Sequence, residues 1–225
     1  MSIIEQKRHF DRIIERIEKA RLRVSDHHIV KIVAASKYVD AEAIRALYAI
    51  GQRAFGENKV QDLVTKSEVL EDLPIEWHFI GSLQKNKINH LLALNPHLVH
   101  SIDSLDLAHA LNERLARDGK TLRALVQVNS AYEESKSGFT PEEFQERYAQ
   151  IQQECPHLHL QGIMSIGAHS NDITAIKKSF ETTRHLFEFL PDATICSMGM
   201  SSDFELAIEC GATMVRLGSI LFPKS

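Results

Sequence analysis

Short apolar segments with a β-strand pattern alternate with amphipathic helical segments along most of the 225-residue sequence. The first strand-like segment covers residues 30–35 and the eighth covers residues 213–216. Strands that are separated by helices usually pair in parallel, so the pattern predicts an α/β fold. Eight alternations without a long break predict a (β/α)8 TIM barrel, as a single domain over residues 1–225 with an extra N-terminal helix. An open doubly wound sheet is the alternative.

Capping residues place several helix ends within this pattern. Thr140 and Glu143 have the spacing of a capping box, which predicts a helix that begins just after Thr140. Ser202 and Glu205 have the same spacing and predict a second helix start. Gly119 follows an apolar helical repeat, and a glycine in that position is typical of a helix end.

The charge pattern and the cysteine count argue against several kinds of partner and site. The formal net charge is -4 and the basic residues are spread through the predicted helices, so we expect no nucleic-acid surface. No apolar run reaches membrane-spanning length, and the N-terminal residues mix acids with bases, unlike a secretory signal. The three cysteines lack paired metal spacing, and His157 and His159 lack a third ligand nearby. We expect a monomeric cytoplasmic protein without a metal site, with reduced and mostly buried thiols.

Lys37 stands at the C-terminal end of the first predicted strand, and polar or glycine-rich residues follow most of the other strands. In a barrel these strand ends meet at one mouth, where the active sites of this fold lie. We therefore predict one pocket at that mouth. Its candidate residues are Lys37, Glu57, Asn58, Gly81, residues 101–103, residues 127–129, Met164, residues 197–202 and residues 216–219. For Lys37 taken alone, a solvated lysine that merely ends a strand is the alternative.

The loops after the seventh and eighth predicted strands have the composition of a phosphate site. Gly199 and Gly218 allow the backbone to approach a ligand closely. Ser201 and Ser202 precede a predicted helix, where free N–H groups favour an anion. Barrels of this kind frequently hold phosphate between these two loops. Each glycine taken alone is also typical of an ordinary turn.

A phosphate site and a strand-end lysine at one mouth suggest an aldehyde that carries a phosphate, namely pyridoxal 5′-phosphate (PLP). A neutral lysine amine attacks an aldehyde to form a Schiff base, so Lys37 is the candidate attachment point. Arg216 ends the eighth strand and is the candidate donor to the pyridine nitrogen, which a guanidinium leaves unprotonated. A salt bridge at the barrel rim is the alternative for Arg216. Some other phosphorylated metabolite is the alternative for the ligand.

Eight short motifs resemble, in order and spacing, the pyridoxal phosphate homeostasis protein family. They extend over nearly the whole chain. The motifs are Ala35-Ser36-Lys37, residues 55–62 (FGENKVQD), residues 77–87 (WHFIGSLQKNK), residues 100–104 (HSIDS), residues 127–129 (QVN), residues 135–139 (SKSGF), residues 197–203 (SMGMSSD) and residues 216–219 (RLGS).

The resemblance implies a barrel like that of alanine racemase, with PLP on Lys37 and Arg216 facing the ring nitrogen. It also implies that Ser201, Gly218 and Ser219 hold the phosphate, and we assign Asn58 to a polar wall near the ring. Members of the family resemble PLP carriers or regulators without established catalysis, which affect vitamin B6 balance and amino-acid metabolism. Apo PLP-dependent enzymes are the expected recipients of the cofactor.

The sequence departs from the family pattern at two places. Lys59 stands where the family often has an aromatic residue, which we expect to alter the rim of the pocket. Residues 221–225 (LFPKS) differ from the C-terminal sequence that is usual in the family, which we expect to affect the last helical turn.

A PLP-dependent amino-acid racemase, or a related enzyme, is the alternative function. A two-base racemase needs a second acid or base on the opposite face of the cofactor. In alanine racemase that group depends on a second domain, for which this chain is too short. Tyr38 follows Lys37, but adjacent residues on a strand point opposite ways, so we do not expect it to act as that base.

Lys136 lies in the loop after the fifth predicted strand, on the same mouth as Lys37. We hypothesise that it receives PLP transiently or contacts its phosphate during transfer. A solvated loop lysine is the alternative.

Overall fold

Eight parallel strands form a closed barrel in the order of the sequence, β1-β2-β3-β4-β5-β6-β7-β8. The computed structural model describes residues 2–133 and 135–222. The strands are β1 (Lys31–Ala35), β2 (Ala54–Glu57), β3 (Glu76–Phe79), β4 (Leu98–Ile102), β5 (Leu122–Val128), β6 (Leu158–Ser165), β7 (Ile195–Ser197) and β8 (Met214–Leu217). The predicted TIM barrel is confirmed, and the open doubly wound sheet is wrong because β8 pairs with β1.

Eight α-helices surround the barrel in the described part of the chain. They are α1 (Ile3–Leu22), α2 (Ala41–Ala49), α3 (Val60–Val69), α4 (Ile88–Ala93), α5 (Leu105–Asp118), α6 (Pro141–Glu154), α7 (Ile173–Glu188) and α8 (Phe204–Glu209), with one 3-10 turn at Lys85–Lys87 before α4. No helix among them is long and apolar enough to cross a membrane.

The N-terminal helix α1 packs on the outside of the barrel beside α8, as predicted. Its apolar stripe of Phe10, Ile13 and Ile17 is buried, and burial of each such side chain contributes about 1.5–3 kcal/mol. Arg16 pairs with Glu205 of α8 at 2.7 Å between Nη2 and Oε2. No helix follows β8 in the described residues, and residues 223–225 of the atypical closing segment lie outside them.

The helix starts and stops agree with the sequence in most places. α6 begins at Pro141, and the Glu143 carboxylate accepts a hydrogen bond from the Thr140 backbone N–H at 3.0 Å. Gly119 follows the end of α5 in the left-handed conformation, with φ at 61°. Both predictions are confirmed.

The predicted capping box of Ser202 and Glu205 is wrong. Helix α8 begins at Phe204, and Asp203 occupies the N-cap position without a side-chain hydrogen bond to the helix. The Asp203 carboxylate instead accepts from the Met200 N–H at 2.6 Å. Since Glu205 pairs with Arg16, its carboxylate is drawn away from the helix start.

The interior of the barrel contains one apolar layer. The side chains that form it are Val33, Ala54, Leu98, Leu125, Met164 and Met214. Met164 also lines a cavity at the C-terminal end of the strands, whereas Leu98 and Met214 line a cavity at the N-terminal end. The layer therefore separates two cavities, one at each end of the barrel.

The three cysteines are free, and Cys155 and Cys196 are buried, which confirms the prediction of mostly buried thiols. Burial raises the pKa of Cys155 to about 11 and that of Cys196 to about 12. Because the thiolate is the reactive form, both sulfurs are poorly reactive near neutral pH.

Replacement of Gly119 tests the left-handed end of α5. We expect Gly119→Ala to lower the free energy of unfolding by about 1 kcal/mol, because an L-residue in this conformation costs about 1–2 kcal/mol. No atom of the described residues lies within 4 Å of an added Cβ, so the loss comes from the backbone alone. Gly119→Asn is the matched control and should lose less, because asparagine tolerates this conformation. Equal losses in urea denaturation would contradict the explanation.

Candidate functional site

A cavity of about 540 Å³ opens at the C-terminal end of the barrel. The predicted cofactor residues all line it, although they come from four different segments of the chain. These residues are Lys37, Asn58, Ser201, Arg216, Gly218 and Ser219. The rest of the lining is largely apolar and includes Ile80, Ile166 and Phe222. We call this space the mouth cavity.

Lys37 and Tyr38 lie together in the turn that follows β1. The Lys37 Nζ lies 4.9 Å from the centre of the Tyr38 ring, and both side chains line the mouth cavity. The expectation that Tyr38 points away from Lys37 is therefore wrong. The strand ends at Ala35, so the alternation of side chains along a strand does not extend to these two residues.

A buried ion pair supports the backbone just before Lys37. The Glu57 carboxylate is fully buried, and its Oε1 accepts hydrogen bonds from Ser36 Oγ and Lys66 Nζ, each at 2.7 Å. The Lys66 Nζ also donates to the Ser36 carbonyl at 2.8 Å. The end of β1 is thereby tied to β2 and α3, which holds the lysine turn in place.

Asn58 reaches the mouth cavity from the end of β2. Its backbone packs directly against Gly81, where an added Cβ would lie only 2.0 Å from the Asn58 carbonyl oxygen. Gly81 is therefore required for close contact between these two strand ends, and it positions Asn58 without lining the cavity.

The loops after β7 and β8 are joined through one hydroxyl group. The Ser201 Oγ accepts hydrogen bonds from the Gly218 N–H at 3.0 Å and the Ile220 N–H at 3.4 Å. No described residue accepts the hydrogen of this hydroxyl, so it is available for donation to a ligand. The two loops thus form one side of the mouth cavity.

Free backbone donors make this side of the mouth cavity suitable for a phosphate. Within residues 2–133 and 135–222, the N–H groups of Ser201, Ser202 and Ser219 donate to no protein acceptor. Adjacent free N–H groups form concave sites that bind anions. The residues present here therefore fit the phosphate group of PLP.

The two glycines of the predicted phosphate loops lie at different positions relative to the mouth cavity. Gly199 has φ at 93°, and an added Cβ would lie 2.5 Å from the Ala207 Cβ, but Gly199 does not line the mouth cavity. It is needed for the turn into α8. Gly218 lines the cavity, but its N–H is already bonded to Ser201.

Arg216 is a buried cation at the base of the mouth cavity and is only 6% exposed. Its Nη1 donates to the carbonyl and the Oγ of Ser197, and its Nη2 donates to the Ser165 carbonyl at 2.8 Å. Burial lowers the pKa of Arg216 to about 10, so it stays protonated near neutral pH. It forms no ion pair with a described residue, so the predicted alternative of a rim salt bridge is not seen.

A chain of buried polar side chains lies behind Arg216. The His100 Nδ1 is 3.2 Å from Ser197 Oγ, and the His100 Nε2 is 2.9 Å from the His78 Nδ1. His78 and His100 stand in two of the family-like motifs, and the sequence assigned neither of them a role. A histidine at an inward position of an apolar strand was the available signal, because a buried imidazole needs partners.

Several other predicted mouth residues do not line the mouth cavity. The Glu57 side chain points out of the barrel towards α3. Gln127 and Asn129 bond to the loop after β5, with the Gln127 amide donating to the Ser137 carbonyl at 2.8 Å. The Lys136 Nζ pairs with Glu133 and donates to the Gly167 carbonyl at 2.7 Å. These polar groups form hydrogen bonds within and between the loops. Fewer residues therefore line the mouth cavity than the sequence predicted.

The fold and its lysine-bearing mouth define a barrel protein of the alanine racemase type. Residues 8–225 match the family model described as "Alanine racemase, N-terminal domain". In structure the chain is similar to a crystallised protein from Bifidobacterium adolescentis, with a TM-score of 0.91 and 33% identity, over 98% of this chain and 95% of that one.

Two further comparisons give the particular family. The chain is 58% identical over 222 residues to the pyridoxal phosphate homeostasis protein of Helicobacter pylori, which covers 99% of this chain and 100% of the relative. It is also similar to PipY of Synechococcus elongatus, solved with PLP bound, with a TM-score of 0.79 and 33% identity over 92% of this chain and 98% of PipY. This chain belongs to the pyridoxal phosphate homeostasis protein family, which confirms the resemblance seen in its motifs.

Removal of one partner tests the ion pair behind the lysine turn. We expect Lys66→Met to lower the free energy of unfolding by about 3–5 kcal/mol, because it leaves a buried carboxylate unpaired. Replacing both partners, as in Glu57→Gln with Lys66→Met, should recover much of that loss.

The matched control for this measurement is Lys177→Met. Lys177 and Glu181 form an ion pair in which each side chain is more than half exposed, and such pairs contribute only about 0–1 kcal/mol. Similar losses for Lys66→Met and Lys177→Met in chemical denaturation would show that burial does not matter at Glu57.

Proposed function

We propose that this protein binds PLP covalently on Lys37 and acts in intracellular PLP (vitamin B6) homeostasis as a carrier or regulator without established catalysis. When bound, PLP supplies an aldehyde that bonds to a primary amine, a phosphate, and a pyridine nitrogen that accepts a hydrogen bond. The observation that carries the proposal is that an amine, free backbone N–H groups and a buried guanidinium share the mouth cavity. The names of its relatives support the same function.

Each part of the proposed site has a matching group on the protein. Lys37 provides the amine, and Ser201, Gly218 and Ser219 form the phosphate side, where the Ser201 hydroxyl and the Ser219 N–H are the donors. Asn58 provides a polar wall near the ring.

Arg216 is suited to hold the pyridine nitrogen. Three of its five N–H groups are bonded to Ser197 and Ser165, and the other two have no acceptor in the described part of the chain, so they remain for a ligand. A guanidinium with a pKa of about 10 does not give its proton to a pyridine nitrogen at neutral pH. We therefore propose that the bound ring stays unprotonated, which makes it a poor electron sink.

The main alternative is a PLP-dependent racemase or a related enzyme, and the position of Tyr38 is the observation that favours it. Tyr38 lines the mouth cavity with Lys37, and the other titratable group among the described lining residues is Arg216. However, Tyr38 is 85% exposed and adjacent to Lys37 in the chain, whereas a two-base racemase needs its second base across the cofactor. Loss of the α-¹H signal of amino acids incubated with the protein in D₂O, through exchange for deuterium, would reveal such an activity.

Partners and location form part of the proposal. The chain would release PLP to apo PLP-dependent enzymes, and it would act as a monomeric, single-domain protein in the cytoplasm. The charge pattern and the three free cysteines are consistent with this setting.

Reduction with borohydride tests the attachment to Lys37. We expect the purified protein loaded with PLP to absorb visible light, and reduction to fix the cofactor mass on the peptide that contains Lys37. Lys37→Ala should lack both signals. The matched control is Lys178→Ala, because Lys178 is exposed on α7 and does not line the mouth cavity. Loss of PLP from the control, or fixation on another lysine in the unmodified protein, would contradict the assignment.

A second experiment tests Lys136 in the transfer of PLP. If Lys136 receives PLP or contacts its phosphate during release, Lys136→Ala should load normally at Lys37 but release PLP more slowly to an apo-enzyme. The control is Lys178→Ala, an exposed lysine on α7. An unchanged rate for Lys136→Ala would leave this side chain with only its contacts to Glu133 and Gly167.

A further inference from the structure

A second cavity of about 390 Å³ lies at the N-terminal end of the barrel, on the far side of the apolar interior layer. The side chains that matter for its chemistry are Lys31, His78, His97 and Arg123. None of them takes part in the mouth cavity. We call this space the base cavity.

One buried nitrogen beside the base cavity has no partner. His78 is fully buried, and its Nε2 makes no hydrogen bond within the described residues. Its Nδ1 bonds to His100. His78 pairs with Leu98 in β4, and His100 comes two residues after Leu98. His100 therefore lies closer than His78 to the C-terminal end of the barrel. The Nε2 on the other side of the ring therefore faces the N-terminal end, where the base cavity lies.

The hydrogen-bonded chain fixes the proton on this nitrogen. Burial lowers the pKa of His78 to about 3 and that of His100 well below its usual range, so each ring is neutral and carries one proton. Arg216 can only donate, so Ser197 Oγ accepts from it and directs its own hydrogen to the nearby His100 Nδ1.

The positions of the other protons follow from Arg216 as the first donor in the chain. Since His100 Nδ1 accepts, the His100 proton lies on Nε2 and is donated to His78 Nδ1. The His78 proton must then lie on Nε2. The unpartnered atom is a buried N–H donor, and a buried donor without an acceptor costs about 1–3 kcal/mol.

The charges around the base cavity also favour an acceptor of negative charge. Lys31 is paired with Glu76, which cancels its charge. Arg123 is exposed and forms no ion pair with a described residue. The wall therefore carries a net positive charge beside a buried donor.

A metal ion is the competing occupant of this region. Glu76, His78 and His97 each offer a ligand atom, and these atoms lie within 4.8 Å of one another. A metal needs a lone pair on His78 Nε2, whereas the hydrogen-bonded chain from Arg216 to His78 places a proton on that atom. If the direction of these hydrogen bonds were reversed, the Ser197 hydroxyl hydrogen would have no acceptor among the described residues. In addition, the Glu76 carboxylate is already paired with Lys31.

We propose that the base cavity is a second ligand site, for a small oxyanion such as phosphate or a carboxylate. The His78 Nε2–H is its innermost donor, and Arg123 supplies the positive charge of its wall. Since the His97 ring lies 5.4 Å from the His78 ring and its side chain is 37% exposed, we expect it to turn aside when the anion enters.

The same chain links the base cavity to Arg216 in the mouth cavity. Donors that point one way along a hydrogen-bonded chain polarise one another, so an anion at His78 should strengthen each donor in it. Any resulting change in PLP affinity must be matched by an equal change in anion affinity. This link rests on the proposed function, whereas the anion site itself does not.

Side-chain ¹⁵N NMR of the histidines tests the site directly. We expect His78 to show a protonated Nε2 and an unprotonated Nδ1, and inorganic phosphate to shift the Nε2 signal saturably. The titration is carried out before and after PLP loading, so failure of PLP binding does not remove the readout. If the affinity for phosphate is the same before and after PLP loading, the link to the mouth cavity is wrong, but the anion site in the base cavity stands.

Two variants and one control complete the test. We expect His78→Phe to weaken phosphate binding by at least about tenfold, since it removes a hydrogen bond to a charged ligand. Arg123→Gln changes an exposed residue, so it avoids a folding defect, and it should weaken phosphate binding by about tenfold. Arg12→Gln removes the same charge from the exposed face of α1 and should have little effect.

Two results would overturn the proposal. The first is that millimolar phosphate and acetate leave the His78 signals unchanged in the folded protein. The second is that Zn²⁺ removes the Nε2 proton and binds in a manner that Arg123→Gln does not weaken, which would show a metal site.

Discussion

Pairing between β1 and β8 closes the barrel, and the proposed site depends on that closure. Val33 lies opposite Arg216, and Ala34 lies opposite Leu217, in a parallel register. The turn that carries Lys37 therefore leaves its strand next to the strand that carries Arg216, although the two residues are far apart in the sequence. An open sheet would put β1 and β8 far apart and would form no mouth cavity.

Closure has a further consequence, because it removes polar groups from water. Arg216 and Glu57 are both buried, and each is held in a different way. Glu57 has a lysine partner that ties it to α3. Arg216 has neutral acceptors in place of a carboxylate, so its charge is only partly compensated. A buried charge of this kind is expensive, and a ligand that accepts from it recovers part of the loss.

The two ends of the barrel are chemically distinct. The C-terminal end combines an amine with free N–H groups and an apolar lining, which suits a flat aromatic molecule with a phosphate. The N-terminal end is small and basic, with a buried imidazole at its inner wall. The chain from Arg216 through Ser197 and His100 to His78 crosses the apolar layer between them. Because the Arg216 guanidinium can only donate, each hydrogen bond in this chain is donated in the direction from Arg216 to His78.

The residues that determine local structure were readable from the sequence. The alternation of strands and helices gave the barrel, and Gly119 and Thr140 marked helix ends. The six residues predicted for the cofactor lie at or just after strand ends that the fold brings to one cavity. These features depend on periodicity and backbone preference, which act over a few residues. Their meeting at one mouth follows from the barrel topology once that is known.

Tertiary structure alone decided which way individual side chains point and which partners they find. Tyr38 enters the mouth cavity because β1 ends before it, and Glu57 leaves the mouth because Lys66 lies behind it. Ser202 does not cap α8, since Asp203 occupies the N-cap position and Arg16 holds the Glu205 carboxylate. The His78 to Arg216 chain joins residues from four strands. Such contacts depend on distances between segments remote in the chain, and a local pattern carries no information about those distances.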